Sequence, residues 1–356
     1  MSTASAPPSG TALIPQRLVA GVDIGGSKVL AVAMDEHRQV RARVRLRTAR
    51  GADGVVQSAA RAVDALVHRL VVRGAIGSGA APGHGVPELD VVGVGVPGLV
   101  EPGTGRVSHA VNLDLGDEPI DLGGSLAERL GVRVVVENDV NVAAVGAARL
   151  LALEDADLAY LSIGTGLAAG LVTGGRLRRG ARGAAGEIGH VPVDPAGPLC
   201  SCGQRGCLET LASGSAIAAA WPTAVGTSSA NALFDAADAG DGAALVVRDR
   251  FAAHVAAAVR LLVLTCDVET VVLGGGVTDL GDRLLTAVTA ALRHAADVAP
   301  FLAALDLPER VAIIPPGSDV AALGAAIVGA SSSAARAATR HLEKASTSSE
   351  GVPWRS

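Results

Sequence analysis

The chain has 356 residues, of which 49% are hydrophobic and only 2% aromatic, and its formal net charge is −5. This length and composition predict a globular α/β protein of two domains, with a core built mainly from Ala, Val, Leu and Ile. The acidic charge and the lack of a Lys/Arg run argue against a nucleic-acid partner. Neither a bilayer-spanning apolar run nor a secretory signal is visible, so we expect a cytoplasmic protein without a membrane partner.

The two ends of the chain differ in composition from its middle. Residues 1–17 and 331–356 are rich in small and polar residues, and we predict a disordered N-terminal tail and a flexible C-terminal tail there. We expect the folded part to consist of a smaller domain, residues 18–140 with a returning helix at 318–330, and a larger domain, residues 141–317.

A glycine hairpin opens the folded part. Apolar residues 18–24 and 29–34 predict two strands, joined by a turn of Gly25, Gly26, Ser27 and Lys28. Asp23 ends the first strand, where a carboxylate can orient hydrated Mg²⁺ while bare backbone amides approach phosphate oxygens. Taken alone, an Asp before two glycines is more often a plain turn.

The next segments are less informative about chemistry. Alternating arginines at 41–47 predict the solvated face of a strand, residues 54–73 a helix, 77–87 a loop and 90–96 a strand. The residues Gly93, Gly95 and Gly98 match the dinucleotide fingerprint, which must open a helix. Pro97 and Pro102 forbid a helix there, so we reject that reading.

An acidic and amide cluster follows the apolar strand predicted at 132–136. Glu137, Asn138 and Asp139 precede an Ala-rich helix predicted at 142–150. Asp139 could be a helix N-cap. Phosphoryl transfer to a hydroxyl, however, needs a base for the proton and groups that hold the acceptor, which Asp139 and Asn138 could supply.

The strand, glycine turn, strand figure occurs a second time. Residues 158–163 and 167–172 predict strands around Gly164, Thr165 and Gly166, and this repeat indicates an internal duplication. A third turn, containing Gly274 and Gly275, joins a strand predicted at 269–273 to a helix predicted at 280–296, a geometry that aims backbone N–H groups at an anion. The three glycine turns together favour phosphate binding in a nucleotide cleft.

Three of the chain's four cysteines cluster with a histidine. His190, Cys200, Cys202 and Cys207 offer the soft donors of a tetrahedral structural zinc site, and neighbouring glycines permit the tight wrap. The alternative is three unrelated buried cysteines beside a surface histidine. Cys266 lies in an apolar run and is expected to be a buried small hydrophobe.

These motifs resemble those of ROK proteins, which are sugar kinases and related repressors. The resemblance covers about residues 18–330, and its most specific part is Gly-Glu-x-Gly-His followed by Cys-x-Cys-Gly-x-x-Gly-Cys-x-Glu; the Asp-x-Gly-Gly and Glu-Asn-Asp segments match too. It implies a two-domain actin-like, hexokinase-like ATPase fold, made of duplicated ribonuclease H-like domains with a structural zinc knot.

The resemblance also implies roles for individual residues. Asp139 would be the catalytic base, and His190 would ligate structural Zn²⁺ through one ring nitrogen and face the sugar with the other. Asp23 would lie near Mg²⁺. The sugar would be bound by Asn112, Asn138, Asp139, Glu187, His190 and Glu209. The ATP-binding site would be lined by Gly25, Gly26, Ser27, Lys28, Gly164, Thr165, Gly166, Gly274 and Gly275.

We therefore predict an ATP-dependent hexose kinase, specifically a glucokinase acting on the C6 hydroxyl, and a homo-oligomer, dimer or tetramer, by resemblance. The alternatives are an N-acetylmannosamine, N-acetylglucosamine, fructose or allose kinase, a catalytically silent sugar-sensing regulator, and a zinc-stapled structural module. N-acetylmannosamine kinases of the family tend to carry Arg and Thr near Leu99 and Val111, and many members carry Trp at Leu115. Ser27 replaces the usual Thr. Family repressors have an N-terminal helix-turn-helix domain, whereas the glycine hairpin here begins near residue 18, so DNA binding is not expected.

Overall fold

The computed structural model describes residues 17–78, 88–101 and 103–332. Most of both predicted tails and of the predicted loop at 77–87 lies outside these ranges. The chain forms two compact units: the first contains the described residues up to Glu137 and from Ala325 onward, and the second is Asn138–Gly324. Asn138 and Asp139 thus belong to the second unit, whereas the predicted boundary followed residue 140. Within the described ranges, no helix has the length and apolar character needed to cross a membrane.

The first unit is built on a five-stranded sheet covered by a long helix. Its elements in chain order are β1 (Arg17–Ile24), β2 (Lys28–Met34), β3 (Val40–Arg47), α1 (Ala52–Ser78), β4 (Glu88–Val96), β5 (Leu99–Val100), β6 (Arg106–Ser108), a 3₁₀ helix (Val111–Leu113), β7 (Ile120–Asp121), α2 (Leu122–Leu130) and β8 (Val134–Asn138). The large sheet has the order β3-β2-β1-β4-β8, and β5, β6 and β7 form a small second sheet.

The second unit has a sheet with helices on both faces. Its elements are α3 (Asp139–Leu150), β9 (Leu158–Ile163), β10 (Leu167–Thr173), β11 (Arg176–Arg178), a 3₁₀ helix (Ile188–His190), α4 (Glu209–Ala212), α5 (Gly214–Ala220), α6 (Ser229–Asp238), α7 (Gly242–Cys266), β12 (Thr270–Gly274), a 3₁₀ helix (Gly276–Leu280), α8 (Asp282–Val298), α9 (Pro300–Ala303), a 3₁₀ helix (Leu307–Arg310) and β13 (Val311–Ile313). A last helix covers residues 320–332, of which 320–324 belong to the second unit and 325–332 to the first.

The two large sheets share one topology. In the first, β3, β2 and β1 pair antiparallel and β1 pairs parallel with β4; in the second, β11, β10 and β9 pair antiparallel and β9 pairs parallel with β12. The strand orders β3-β2-β1-β4-β8 and β11-β10-β9-β12-β13 correspond position by position. This correspondence confirms the predicted duplication.

Small aliphatic side chains fill the cores, as the composition predicts. In the first unit, α1 buries Val55, Ala59, Val63 and Leu66 against the sheet. In the second unit, one face of the sheet packs on α7 and α8, and the other on α3. Cys266 is only partly buried, contrary to prediction, because it is the last residue of α7.

Two predicted helix starts are wrong. Helix α3 begins at Asp139 instead of residue 142, because the Asn138 side chain accepts hydrogen bonds from the N–H groups of Val140 and Asn141. Helix α8 begins at Asp282, since the third glycine turn leads into a 3₁₀ helix and Gly281, at φ 59°, separates the two helices.

Candidate active site and metal centre

The first glycine turn, residues 25–28, is held in shape by backbone and side-chain bonds. Gly25 N–H donates to the Lys28 carbonyl at 2.9 Å, and the Thr48 hydroxyl donates to the Gly25 carbonyl at 2.7 Å. Asp23, partly buried, is the next-to-last residue of β1, and Ser27 and Lys28 are exposed. The turn therefore presents a carboxylate, a hydroxyl and an ammonium group at one end of the sheet, a set that suits a phosphate and its counterion.

Asn112 lies directly against this turn. A Cβ atom built on Gly26 would stand 3.0 Å from the Asn112 carbonyl oxygen and 3.2 Å from its Cβ, so only glycine fits without displacement. Leu115 is 4% exposed in the core of the same unit, so its side chain is not at the surface. The neighbouring Leu99 and Val111 are exposed.

The second glycine turn, residues 164–166, is attached to the start of α5. Gly164 N–H donates to the Gly166 carbonyl at 3.0 Å, and the N–H groups of Gly214 and Ser215 donate to the carbonyls of Gly164 and Thr165 at 2.7 and 3.4 Å. Thr165 is exposed at the tip of the turn. These three backbone bonds therefore fix the shape of the turn.

The third glycine turn, residues 274–276, exposes Gly275 and Gly276 but not Gly274. Gly274 is buried against Tyr160. A Cβ at this position would stand 2.1 Å from the Tyr160 hydroxyl oxygen, so no side chain fits there. Gly275, at φ 87°, is partly exposed and Gly276 is exposed. The exposed backbone of this turn thus includes Gly276, the third glycine of the run, which is not among the residues expected to line ATP.

Asp139 is the first residue of α3, and its carboxylate is electrostatically perturbed. Burial raises its pKa to about 6, the bond from the Val140 N–H opposes that rise, and the negative charge of Glu187 adds to it. A carboxylate with this pKa is ionised at neutral pH yet basic enough to take up a proton. The side-chain oxygen of Asn138 caps the same helix, so the cap is Asn138 and not Asp139.

Glu187 and His190 extend this polar group. The Glu187 carboxylate lies 4.0 Å from Nε2 of His190, and the other ring nitrogen, Nδ1, lies 3.7 Å from Sγ of Cys200. The imidazole thus has one nitrogen toward the cysteines and the other toward a carboxylate. Glu187 therefore adjoins His190 and lies within electrostatic reach of Asp139, and all three predicted site residues belong to the second unit.

His190, Cys200, Cys202 and Cys207 form a Cys3His cluster whose donor atoms all lie within 4.8 Å of one another. The Cys202 and Cys207 sulfur atoms are 3.7 Å apart. Zinc–sulfur bonds of about 2.3 Å in a tetrahedron place two sulfurs about 3.8 Å apart, so the spacing fits Zn²⁺. The predicted zinc ligands are thus compatible with one structural metal site.

The loop around the cluster is shaped for its ligands. Gly206, at φ 65°, has no room for a Cβ, which would stand 1.6 Å from the Asp194 carbonyl oxygen. The Gln204 amide donates to the His190 carbonyl at 3.1 Å and to Sγ of Cys202 at 3.4 Å. Hydrogen bonds from the side chain and backbone of Gln204 lower the pKa of the Cys202 thiol to about 6, whereas burial raises the pKa of the Cys207 thiol to about 12.

Glu209, the last predicted sugar ligand, begins α4. Its Oε2 accepts a hydrogen bond at 3.0 Å from the backbone N–H of Leu167, the residue that follows the second glycine turn. Sequence reasoning gave Glu209 no contact with this turn, because the two are far apart along the chain.

Comparison with known proteins gives consistent matches over most of the chain. The sequence model of the ROK family matches residues 19–328. The glucokinase of Halalkalibacterium halodurans is 33% identical over 309 residues, 80% of this chain and 89% of that protein. An N-acetylmannosamine kinase of Yersinia pseudotuberculosis is 33% identical over 72% of this chain and 82% of that protein. The crystal structure of a ROK family glucokinase from Streptomyces griseus with glucose and AMPPNP superimposes with a TM-score of 0.68 at 30% identity, covering 88% of this chain and 99% of that one.

Proposed function

The chain belongs to the ROK family, and from this premise we propose that it is an ATP-dependent sugar kinase, specifically a glucokinase that phosphorylates the C6 hydroxyl of glucose. The observation that carries the proposal is Asp139, a carboxylate with a pKa of about 6 at the start of α3, grouped with Glu187 and His190. The similarity to two glucokinases, one of them a structure with bound glucose, supports the choice of sugar.

In this proposal Asp139 is the general base. Its carboxylate takes the proton of the C6 hydroxyl as that oxygen forms a bond to the γ-phosphorus of ATP, and the bond from phosphorus to the β,γ-bridging oxygen breaks to release ADP. Because the pKa is about 6, the carboxylate is mainly ionised at cellular pH. Mg²⁺, when bound to ATP, would neutralise phosphate charge, with Asp23 as the nearby carboxylate.

The remaining sugar hydroxyls would be held by the polar residues around the base. Carboxylates accept hydrogen bonds from hydroxyls, and an amide can both donate and accept, so together these groups can fix one orientation of a hexose. Of the residues proposed for this role, Asn138, Glu187, His190 and Glu209 belong to the second unit with the base, and the family resemblance adds Asn112.

The Cys3His cluster would supply rigidity rather than chemistry. Zn²⁺, when bound, fixes the orientation and tautomer of His190, because Nδ1 faces the sulfurs and Nε2 faces Glu187. The first and second glycine turns, with the exposed Gly275 and Gly276, would present backbone N–H groups to ATP phosphates.

The test is a coupled ADP-release assay with Mg-ATP across glucose, mannose, fructose, allose, N-acetylglucosamine and N-acetylmannosamine, with zinc content measured on the same sample. We expect glucose to be preferred by a wide margin and Asp139→Asn to lower turnover by at least about 10²-fold while glucose still binds. Preference for another sugar would overturn the glucokinase assignment but leave a sugar kinase. Glucose binding without turnover would instead indicate a sugar-sensing regulator.

N-acetylmannosamine is the second candidate substrate, because a kinase for it is 33% identical to this chain. Val111 precedes Asn112 in the chain and Leu99 lies in β5; both side chains are exposed and apolar, and neither can hydrogen-bond an acetamido group. The side chains at these positions therefore favour glucose over the N-acetylated sugar.

A further inference from the structure

The Glu209 carboxylate and the residues at the second glycine turn fit one another closely. Oε2 of Glu209 accepts the Leu167 N–H at 3.0 Å. A Cβ on Gly166 would stand 2.4 Å from that same oxygen and 3.3 Å from Cδ of Glu209, so the space beside the turn is taken by the carboxylate. A side chain at position 166 would therefore clash with Glu209, whether or not a phosphate also binds near this glycine.

The Cys3His loop, residues 190–207, also packs on Leu167, the first residue of β10, through the residues that flank the loop. A Cβ on Gly189, the residue before His190, would stand 2.0 Å from the Leu167 carbonyl oxygen and 3.4 Å from Cβ of Glu209. Glu209 itself follows Cys207 by two positions. Both ends of the metal-binding loop therefore pack on Leu167, and the loop and the glycine turn form one connected structure.

We propose that Glu209 is a positioning residue for the nucleotide: its bond to the Leu167 N–H fixes the second glycine turn to the Cys3His loop, so that the loop sets ATP affinity as well as the sugar site. This inference rests on the proposed kinase function. It goes beyond the sugar-binding role expected for Glu209, because the oxygen that accepts the Leu167 N–H is engaged with the turn.

The two roles of Glu209 predict different effects of different substitutions. Glu209→Gln keeps a side-chain oxygen that can accept the Leu167 N–H, whereas Glu209→Ala removes the acceptor. A purely sugar-binding residue would raise the KM for glucose in both variants and leave the KM for ATP unchanged. A positioning residue raises the KM for ATP in the alanine variant, by about tenfold for the loss of a hydrogen bond to a charged group, and much less in the glutamine variant.

The direct readout is hydrogen exchange of the backbone amide of Leu167, followed in peptides covering the second glycine turn in zinc-replete protein. We expect faster exchange in Glu209→Ala and in Gly166→Ala, and near-normal exchange in Glu209→Gln. Glu269→Ala is the matched control, because the exposed Glu269 carboxylate also accepts a backbone N–H, that of Asp157, at the start of β9. It should change neither the exchange at Leu167 nor the KM for ATP.

Unchanged exchange at Leu167 and unchanged ADP affinity in the folded, zinc-replete Glu209→Ala variant would overturn the proposal. Exchange and ADP affinity are measured without any sugar. Failure of the kinase assignment, seen as no turnover on any sugar, is therefore distinguishable from failure of the positioning role.

Discussion

Replacing Asp139 by Asn should stabilise the folded protein while removing its activity. The pKa of Asp139 is raised from 3.8 to about 6, mainly by burial, so the ionised carboxylate is less favourable in the folded chain than in the unfolded chain. A shift of about 2 units corresponds to at most about 3 kcal/mol of unfolding free energy. Asn is neutral, and its side-chain oxygen can still accept the Val140 N–H, so the substitution removes that cost without breaking the contact.

The sign of the pH dependence follows from proton uptake. Between about pH 4 and pH 6 the folded state holds the Asp139 proton more tightly than the unfolded state, so this residue's contribution to stability falls as pH rises through that window. Asp139→Asn and the unchanged protein should thus have similar stability near pH 4, and the variant should gain up to about 3 kcal/mol by pH 8.

Urea unfolding of both proteins, followed by circular dichroism from pH 4 to pH 8, measures this difference. Asp297→Asn, at an exposed position of α8, controls for the loss of one negative charge. The same Asp139→Asn samples should show a fall in kcat of about 10²- to 10⁴-fold, the range for loss of a general base. A stability difference that is independent of pH, or a variant less stable than the unchanged protein at pH 8, would refute the electrostatic account of Asp139.

Three further predictions follow from the same geometry. The kcat of the unsubstituted enzyme should decline below about pH 6 as Asp139 becomes protonated. Glu187→Gln should move that decline to lower pH, because the substitution removes a negative charge near the base. A pH–rate profile that does not shift in this variant would contradict the prediction. Cys207→Ser should lose bound zinc, measured by elemental analysis, and weaken glucose binding in calorimetry more than it weakens ADP binding; full zinc occupancy in this variant would argue against the Cys3His site. Gly26→Ala should displace Asn112 and raise the KM for glucose as well as for ATP, whereas an effect on ATP alone would show that Asn112 does not bind the sugar.

Local sequence patterns were sufficient to predict several strands of this protein and its Cys3His cluster. Apolar runs and glycine turns placed β1, β2, β9 and β10 within a residue or two of their ends, because these features depend on neighbours along the chain. The Cys3His cluster was equally accessible, since its sequence motif places all the donors close together along the chain. The start of α3 was missed because apolar spacing says nothing about a cap, although Asn138 is itself a favourable capping residue.

The pairing of distant residues was decided only by the tertiary structure. The sequence indicated Gly26, Asn112, Asp139, Glu187 and Glu209 as candidate site residues. It did not show that Asn112 packs on Gly26 or that the negative charge of Glu187 raises the pKa of Asp139. Nor did it show that Glu209 binds the Leu167 N–H or that Gly274 is buried against Tyr160. The sequence by itself thus determined the repeated sheet and brought the candidate metal ligands and the candidate base to notice, because these depend on residue identity and local spacing. Burial, shifted pKa values and contacts between segments depend on how the chain packs in space, and so only the folded structure decided them.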